Sequence, residues 1–175
     1  LKDKGKSRLR KHELELVYKY IDCLNVDRAK SYATWIEVGW CLHNLHNTNN
    51  KLLIKWIEFS KKSIAHADEA EESCTEYWDN MCNDGLGIAS LKLWAKQDNP
   101  EQYASIIQDD IYTYVMEACR TKKGTSYDVA KVIHAMYKDY FVCVSVKDSL
   151  WYFYDEIRNC WRTDDRGIML KSKIS

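Results

Sequence analysis

Two Trp-rich amphipathic helices in the stretch Ser31–Ser63 constrain the fold of this chain more than any other feature of its sequence. The stretch holds three of the seven Trp residues. Apolar residues recur at helical spacing over Trp35–Leu45 and again over Leu52–Phe59. The polar residues 46–50 predict a short turn, so the two helices should pack antiparallel as a hairpin. Because indole side chains bury a large apolar area, we expect one from each helix in the core of a small helical domain. The expected core indoles are Trp35 and Trp56, and the polar residues expected on the outward face of the first helix are Glu37, His43 and Asn44.

Further helices are predicted on both sides of this hairpin. One begins at His12, and others are expected over Ala67–Asn83 and Ile88–Gln97. A longer helix starts at Pro100, a residue favoured at the first helical position, with a break expected near the acidic pair 109–110. The core stripe of the first of these helices consists of Leu14, Val17, Tyr18, Ile21 and Leu24.

One more helix is predicted at the start of the C-terminal third. Thr125, followed three residues later by Asp128, is the start signal of a capped helix. The basic loop Arg120–Gly124 just before it is the expected boundary between two units. The side chains expected to face inward from this helix are Val129, Val132, Ile133, Met136 and Tyr137.

After this helix the residue pattern changes to one typical of β-strands. Short β-branched or aromatic runs occupy 141–146, 151–155 and 160–162 and are separated by polar breaks. We interpret them as an antiparallel meander, with Ile168–Leu170 as a candidate further strand. The predicted fold class is therefore α+β, mainly α: a helical bundle followed by a helix and a small antiparallel β-meander.

Composition limits the class of protein. Hydrophobic residues make up 46% of the 175 residues and aromatic residues 13%, which is typical of a folded chain. Lys and Arg number 26, as do Asp and Glu, so the formal net charge is zero and only local clusters can favour nucleic acid. No apolar run reaches about 18 residues, so no membrane partner is expected. The sequence begins without Met or an apolar signal region, which suggests a segment of a longer polypeptide.

The seven Cys residues favour a reducing compartment, since their number is odd and no CxxC pair occurs. Cys41 with His43 and His46, and Cys74 with Cys82, have the residue types of a zinc site. On a helix only His43 and His46 share a face, so we expect ordinary core thiols and no metal site. The Cys residues expected to be buried are Cys23, Cys41, Cys74, Cys119 and Cys143.

Two parts of the chain resemble known modules. Over about Ile21–Asp98 the sequence resembles the helical primase C-terminal domain, which lies between the primase and helicase modules of the primase-helicases of large DNA viruses. The residues that carry this resemblance are Tyr32, Trp35, Val38, Gly39, Leu52, Trp56, Ser60, Ser63, Trp78, Leu91, Trp94 and Ala95. Tyr140–Ser175 resembles the start of the adaptor domain that precedes the helicase in such proteins, through Tyr140, Phe141, Ser149, Leu150, Trp151, Tyr152, Tyr154, Asp155 and Trp161. The resulting division is a basic linker at 1–11, a helical domain at 12–120 and the start of an adaptor domain at 125–175.

The resemblance implies a part in viral DNA replication. The parent polypeptide would be a helicase and primase that uses NTP and Mg, forms a homo-oligomer and works at a cytoplasmic or nuclear replication site of an infected cell. This segment would link the primase and helicase modules of that polypeptide. We expect no catalytic residue and no cofactor within it. Lys122 and Lys123 precede Gly124, so the P-loop order is absent, and no carboxylates are paired on a strand as a two-metal site needs.

Local clusters of cations are the candidate contacts for single-stranded DNA. Flexible Lys and Arg side chains suffice to bind backbone phosphates, although lysines on an outward helix face are also typical of a solvated surface. The candidates are Lys51, Lys55, Lys61, Lys62, Lys92, Lys96, Arg120, Lys122 and Lys123. An acidic face on the helix predicted over Ala67–Asn83 should repel the strand. It consists of Asp68, Glu69, Glu71, Glu72, Glu76 and Asp79.

The alternative function is a structural or oligomerisation spacer that supports a hexameric helicase ring without touching DNA. Alternate residues of a strand face opposite sides, so Trp151–Tyr154 would present aromatic side chains on both faces of the sheet. One face could pack on the helical domain and the other on a neighbouring subunit. Salt-dependent binding to single-stranded DNA distinguishes the two hypotheses.

Overall fold

The computed structural model describes residues 11–46, 50–63, 67–82, 85–120 and 125–175. The helices are α1 Lys11–Asp22, α2 Asp27–Lys30, α3 Tyr32–His46, α4 Asn50–Lys61, α5 Ala70–Asn80, α6 Ile88–Asp98, α7 Pro100–Arg120, α8 Ser126–Tyr137 and α9 Ile168–Ile174. The strands are β1 Phe141–Ser145, β2 Leu150–Asp155 and β3 Cys160–Asp165. The predicted class, α+β and mainly α, is confirmed.

The chain forms two compact units that divide between Ile106 and Ile107, within α7. The boundary expected at 120–124 stays a prediction, because residues 121–124 lie outside the described residues.

The core of the first unit forms where α3 and α4 pack together. The rings of Trp35 and Trp56 stack with centroids 4.8 Å apart and planes 26° from parallel. Trp56 is fully buried, whereas Trp35 is half-buried at the edge of the core. The core position predicted for Trp56 is therefore confirmed, and Trp35 also keeps one side accessible. The buried apolar neighbours on the two helices are Val38, Leu42, Leu52 and Phe59.

Gly39 allows α3 to approach the indole of Trp56. A Cβ built on Gly39 would lie 2.6 Å from Cε2 and 2.7 Å from Cη2 of that ring, closer than carbon atoms can pack. The absence of a side chain at this one position therefore sets how closely α3 and α4 approach.

Helices α1 and α6 pack together, and a salt bridge ties α2 to the end of α6. Ile21 of α1 and Leu91 of α6 are both fully buried. Arg28 binds Asp98 with both ends of its guanidinium, at 2.6 Å from Nε to Oδ2 and 2.8 Å from Nη2 to Oδ1. The backbone N–H of Asn25 donates to the same carboxylate. This bidentate contact fixes α2, a short helix that the sequence pattern did not predict.

Helix α7 is continuous, and the break predicted at 109–110 is wrong. The two adjacent carboxylates fit one helix because they face different sides. Asp110 is buried and pairs with Lys138 at 3.7 Å, while Asp109 is exposed. The ion pair with Lys138 compensates the buried charge of Asp110.

Three side chains do not lie as their helix positions predicted. His43, expected outward, is buried with its ring edge-on to Trp78, at 5.1 Å between centroids. Asn44 is half-buried and donates to the carbonyl of Leu86. Both predictions are wrong because other segments cover the side of α3 that a two-helix hairpin would leave open. Cys119, expected to be buried, is exposed near the end of α7, whereas Cys23, Cys41 and Cys74 are buried as predicted and Cys143 is half-buried.

The second unit contains α8 and an antiparallel sheet with the order β1-β2-β3 among the described residues. The predicted capping box is confirmed: Thr125 and Asp128 exchange hydrogen bonds between side chain and backbone N–H. The predicted meander is confirmed as well, since both strand pairs are antiparallel and joined by short turns. Two residues of α8 predicted to face inward, Val129 and Met136, are 54% and 43% exposed. That prediction is wrong because nothing in the described chain covers this side of α8.

The segment predicted as a further strand at Ile168–Leu170 is instead the start of α9, so that prediction is wrong. The turn residue Gly167 has a φ of 68°, a left-handed conformation that turns the chain out of β3. The buried carboxylate of Asp164 then accepts hydrogen bonds from the backbone N–H groups of Met169 and Leu170. These bonds satisfy N–H groups of the first helical turn, which a strand would leave unpaired here.

Candidate nucleic-acid interface

Three of the predicted DNA-contacting lysines, two on α4 and one in the turn directly after it, lie on the side that packs beside α1. Lys51 and Lys55 share one side of α4 because they are four residues apart. Lys62 follows the end of the helix and reaches the same carboxylate of α1 as Lys55. Lys55 is only 19% exposed and binds Asp22 of α1 at 3.0 Å and Glu58 at 3.2 Å. Burial opposes its charge, but hydrogen bonds to these two carboxylates outweigh it and raise the pKa of Lys55.

The carboxylate of Asp22 joins Lys55 to Lys62. It also lies 3.7 Å from Nζ of Lys62, whose side chain is 41% exposed. The ammonium of Lys55 sits 5.8 Å from the ring centroid of Tyr18. Sequence reasoning missed both Tyr18 and Asp22 as parts of this surface, because their contacts with α4 join distant parts of the chain. We call Lys51, Lys55 and Lys62 the cationic row, with Asp22 at its centre.

Lys61 is separate from the cationic row. It lies on the side of α4 that meets α5, where its Nζ approaches Glu71 at 3.4 Å with both side chains largely exposed. Such an exposed pair contributes little to stability. Lys61 therefore lies against the acidic face rather than beside the other lysines of α4.

The remaining predicted contacts lie on other elements. On α6, Lys96 is exposed and Lys92 is half-buried. Arg120 ends α7 in the second unit and is exposed. Lys122 and Lys123 lie outside the described residues. Among the lysines of the first unit, the structure thus brings together those of the cationic row and leaves Lys61 apart from them.

The acidic face of α5 is exposed along its whole length. Its members are Asp68, Glu69, Glu71, Glu72, Glu76 and Asp79, and each is exposed. Helix α5 begins at Ala70 rather than at the predicted Ala67, so the first two of these carboxylates lie in the preceding turn. Because α1 and α5 pack against different sides of α4, this face is set apart from the cationic row.

Cys41 and Cys74 have the properties of core thiols. Burial raises the pKa of Cys41 to about 12 and that of Cys74 to about 11, so both keep their protons at neutral pH. Cys41 donates to the carbonyl of Gly87 at 3.0 Å. Within the described residues no group of three His, Cys, Asp or Glu side chains is placed to hold a metal ion. The side chain of His46 is outside that description.

Sequence reasoning missed an aromatic pocket beside the hairpin. Tyr32, Trp35 and Tyr77 line a cavity of about 290 Å³, with ring centroids 5.4 to 5.9 Å apart. A hydrogen bond with Tyr77 raises the pKa of the Tyr32 phenol, and burial adds a smaller effect. Tyr32 and Trp35 are three residues apart on one helix, and this spacing indicates that their two rings lie side by side. The third ring comes from α5 and could not be assigned from spacing alone.

Comparisons with known proteins agree with the resemblance seen in the hairpin. A protein named "Putative helicase" from Acanthamoeba polyphaga mimivirus is 32% identical over 158 residues, which is 89% of this chain and 15% of that protein. A "Putative helicase" from Frog virus 3 is 30% identical over 166 residues, 94% of this chain and 16% of that protein. A "Putative primase" from African swine fever virus is 27% identical over 136 residues, 74% of this chain and 14% of that protein. The chain therefore spans about one sixth of the length of these viral relatives.

The described chain contains no helix of the length and apolar character that a membrane crossing requires.

The family described as "Primase C terminal 2 (PriCT-2)" matches residues 17–95. These residues run from α1 to α6 and include the stacked indoles, Gly39 and Ser60. The resemblance of Tyr140–Ser175 to an adaptor domain stays a prediction. Residues 17–95 of this chain belong to the primase C-terminal 2 family.

Proposed function

We propose that this chain is a DNA-contacting and coupling segment of a viral replication primase-helicase, without catalytic residues of its own. It would join the primase and helicase modules of one polypeptide and hold the template single strand between them. The observation that favours DNA contact most is the cationic row, two lysines of α4 and one in the turn after it, on the side beside α1. The viral relatives, named as helicases and primases, support the replication setting.

The carboxylate of Asp22 would limit DNA binding at the cationic row. It engages both Lys55 and Lys62, so a phosphate that binds these ammonium groups has to compete with it. Phosphates bound along the cationic row would also be repelled by the nearby Asp22 carboxylate. The single strand would follow the α1 side of α4 and avoid the α5 side, where the acidic face repels it.

Replacing Asp22 by Asn tests this arrangement, because the neutral amide removes the carboxylate that engages Lys62 and one of the two that engage Lys55. We expect Asp22→Asn to bind a labelled oligothymidylate more tightly than the native chain does. The slope of log affinity against log salt should steepen by about 0.7, the change for one added phosphate contact. Fluorescence anisotropy over a salt series measures both quantities.

Asp79→Asn is the matched control, since it removes one exposed carboxylate from the acidic face and leaves the cationic row intact. Its affinity and slope should stay close to those of the native chain. Equal gains for the two variants would mean that only net charge matters. Weaker binding by Asp22→Asn would exclude the cationic row as the contact.

The second candidate function, assembly with a neighbouring copy, is favoured by one face of the sheet. Val142 and Val144 of β1 are 41% and 61% exposed, and Leu150 and Trp161 on the same face are 37% and 47% exposed. An apolar face of this kind is typical of a protein interface. A second copy of the chain is the partner that a homo-oligomeric helicase would bring to it.

Light scattering over a concentration series tests this candidate. If the face holds copies together, the native chain should gain mass with concentration and Val144→Lys should stay monomeric. Val146→Lys is the control, because Val146 is 86% exposed in the turn after β1 and not on the sheet face. A native chain that stays monomeric at all concentrations, in this segment and in longer polypeptides that contain it, would exclude the spacer hypothesis in this form.

A further inference from the structure

The aromatic pocket of the first unit has the size of a side chain. Its cavity of about 290 Å³ is open on one side and lies between α2, α3, the end of α4 and α5. Known pockets for drug-sized molecules start at about 300 Å³. The space therefore suits one side chain or a small group rather than a large ligand.

Three rings form a continuous wall of this pocket. Tyr77 meets Trp35 edge-on at 5.4 Å, and Tyr32 lies 5.9 Å from Trp35 and 5.8 Å from Tyr77. Tyr32 is 60% exposed and Tyr77 is 39% exposed, although each contacts the other two rings. An accessible aromatic ring can accept a cation on its negative face.

The base of the pocket is small and fixed. Ala29 and Ala70 are buried and leave space where larger side chains would fill it. Ser60 is buried as well, and its hydroxyl holds the indole N–H of Trp35 at 2.7 Å. The orientation of the Trp35 ring is therefore set before any ligand arrives.

The charge around the pocket favours a cation. Glu69 lines it and is exposed, and the rest of the acidic face continues from it along α5. Lys30 is the cation among the lining residues, and its ammonium is held by Asp27 at 2.6 Å. A positive group entering the pocket would meet aromatic rings and the exposed carboxylate of Glu69 side by side.

We propose that this pocket binds the guanidinium of an Arg side chain presented by a basic segment of a partner protein. Guanidinium groups are flat, stack on aromatic rings and donate to carboxylates through several N–H groups. Glu69 would receive those hydrogen bonds while Trp35 and Tyr32 cover the planar face. This site lies beside α5, away from the cationic row, and stands independently of the function proposed above.

A nucleobase is the other flat group that aromatic rings accept. Its phosphates, however, would have to pass Glu69 and the other carboxylates of α5, which repel them. The same charges attract a basic peptide. The ring geometry alone would accept either a nucleobase or a guanidinium. The negative charges beside the pocket favour the guanidinium.

The test is a titration of the folded chain with acetyl-Gly-Arg-Gly amide, followed by NMR. The reporter is the indole N–H cross-peak of Trp35, which disappears in Trp35→Phe and is thereby assigned. We expect a saturable shift with an affinity in the millimolar range. The same peptide with citrulline in place of Arg keeps the shape but lacks the charge, and it should bind about threefold to tenfold more weakly.

Glu69→Gln should weaken binding of the Arg peptide by a similar factor, while the exposed α7 variant Glu101→Gln should leave it unchanged. Circular dichroism verifies that both variants fold. Equal binding of the citrulline peptide, or no saturable shift with either peptide, overturns the proposal. A shift of the same cross-peak by oligothymidylate that the Arg peptide cannot compete away would assign the pocket to a nucleobase instead.

Discussion

Ser60 connects three elements of the helical unit through a single hydroxyl. It accepts the indole N–H of Trp35 at 2.7 Å and donates to the backbone carbonyl of Trp56 at 2.8 Å. The sulfur of Cys74 lies 3.3 Å away on α5, and because burial keeps that thiol protonated it can donate to the same oxygen. A buried hydroxyl with all its bonding capacity used fixes its neighbours.

Ser60→Ala should therefore destabilise the chain although it removes only one oxygen. The Trp35 indole N–H loses its acceptor, and the half-buried position of Trp35 lets water replace only part of the bond. We expect a loss of about 1–2 kcal/mol in the free energy of unfolding. Urea denaturation measures it, with the exposed Ser105→Ala as control, which should change stability by less than about 0.5 kcal/mol.

Gly39→Ala provides a second test at the residue scale, in which two effects oppose each other. Alanine favours a helix over glycine by about 1 kcal/mol, but the new Cβ would overlap the buried ring of Trp56. Because that ring is fully enclosed, overpacking should dominate and leave a net loss of roughly 2 kcal/mol. Gly85→Ala is the control, since a Cβ there meets no atom within 4 Å. A thermal midpoint for Gly39→Ala at or above that of the native chain would contradict the close packing of α3 on Trp56.

Helical spacing predicted which aromatic residues are in the core but not which other segments cover them. Trp56 was placed correctly because its own helix defines its apolar stripe. His43 was placed wrongly because α5 reaches it from a distant part of the sequence, and one helix cannot show what packs on its polar side. For the same reason, helical spacing did not predict that Tyr77 of α5 contacts Tyr32 and Trp35.

At the scale of elements, the contact of Arg28 with Asp98 joins α2 to the C-terminal end of α6. Both side chains are at least four-fifths buried, at 17% and 11% exposed. Burial alone would raise the pKa of Asp98, but hydrogen bonds from Arg28 and from the backbone of Asn25 outweigh it and lower that pKa. A carboxyl whose pKa is lowered by folding stabilises the folded state in its charged form.

Asp98→Asn should cost about 2–3 kcal/mol of unfolding free energy at pH 7, because it leaves Arg28 buried without its counter-charge. The contribution of Asp98 is fully present above the pKa of an unfolded Asp, about 3.9, and is lost as pH falls through the lowered folded pKa. The difference between the native chain and Asp98→Asn should therefore shrink below about pH 4. Denaturation curves from pH 7 to pH 3 measure it, with the exposed Asp68→Asn as control. A difference that stays constant over this range would show that the salt bridge contributes through packing and not through charge.

The end of the sheet shows why element type is hard to predict for short segments. Ile168–Leu170 is apolar and follows three strands, so a fourth strand was the natural interpretation. The outcome depends instead on Asp164, whose buried carboxylate binds the first N–H groups of α9, and on the left-handed turn at Gly167. Three apolar residues carry no period, whereas a capping carboxylate four residues upstream decides the element.

At the scale of the whole molecule, the two-part architecture could be predicted because the residue pattern changes after residue 140. The candidate interface could be predicted only as a set of positive residues. Contacts with other helices determine which lysines lie together. Asp22 contacts both Lys55 and Lys62, whereas Lys61 contacts Glu71 on the other side of α4. The charge pattern along a sequence does not predict these contacts between helices.

Binding of single-stranded DNA by exposed lysines of the first unit would make the affinity depend steeply on salt, and variants that remove those lysines test this. The variant that replaces Lys51, Lys62 and Lys96 by Ala removes one exposed cation from α4, one from the turn after it and one from α6. The matched control replaces Lys147, Lys171 and Lys173 of the second unit, which are exposed as well. Both variants lose three charges, so net charge cannot explain a difference between them.

Anisotropy titrations with labelled oligothymidylate, repeated over a salt series, give the slope of log affinity against log salt for each chain. We predict that the native chain binds at low salt and that the first variant flattens the slope by about two units, the value for three lost phosphate contacts. The control should keep the native slope. A native chain that does not bind at low salt, or two variants with the same slope, would contradict the account.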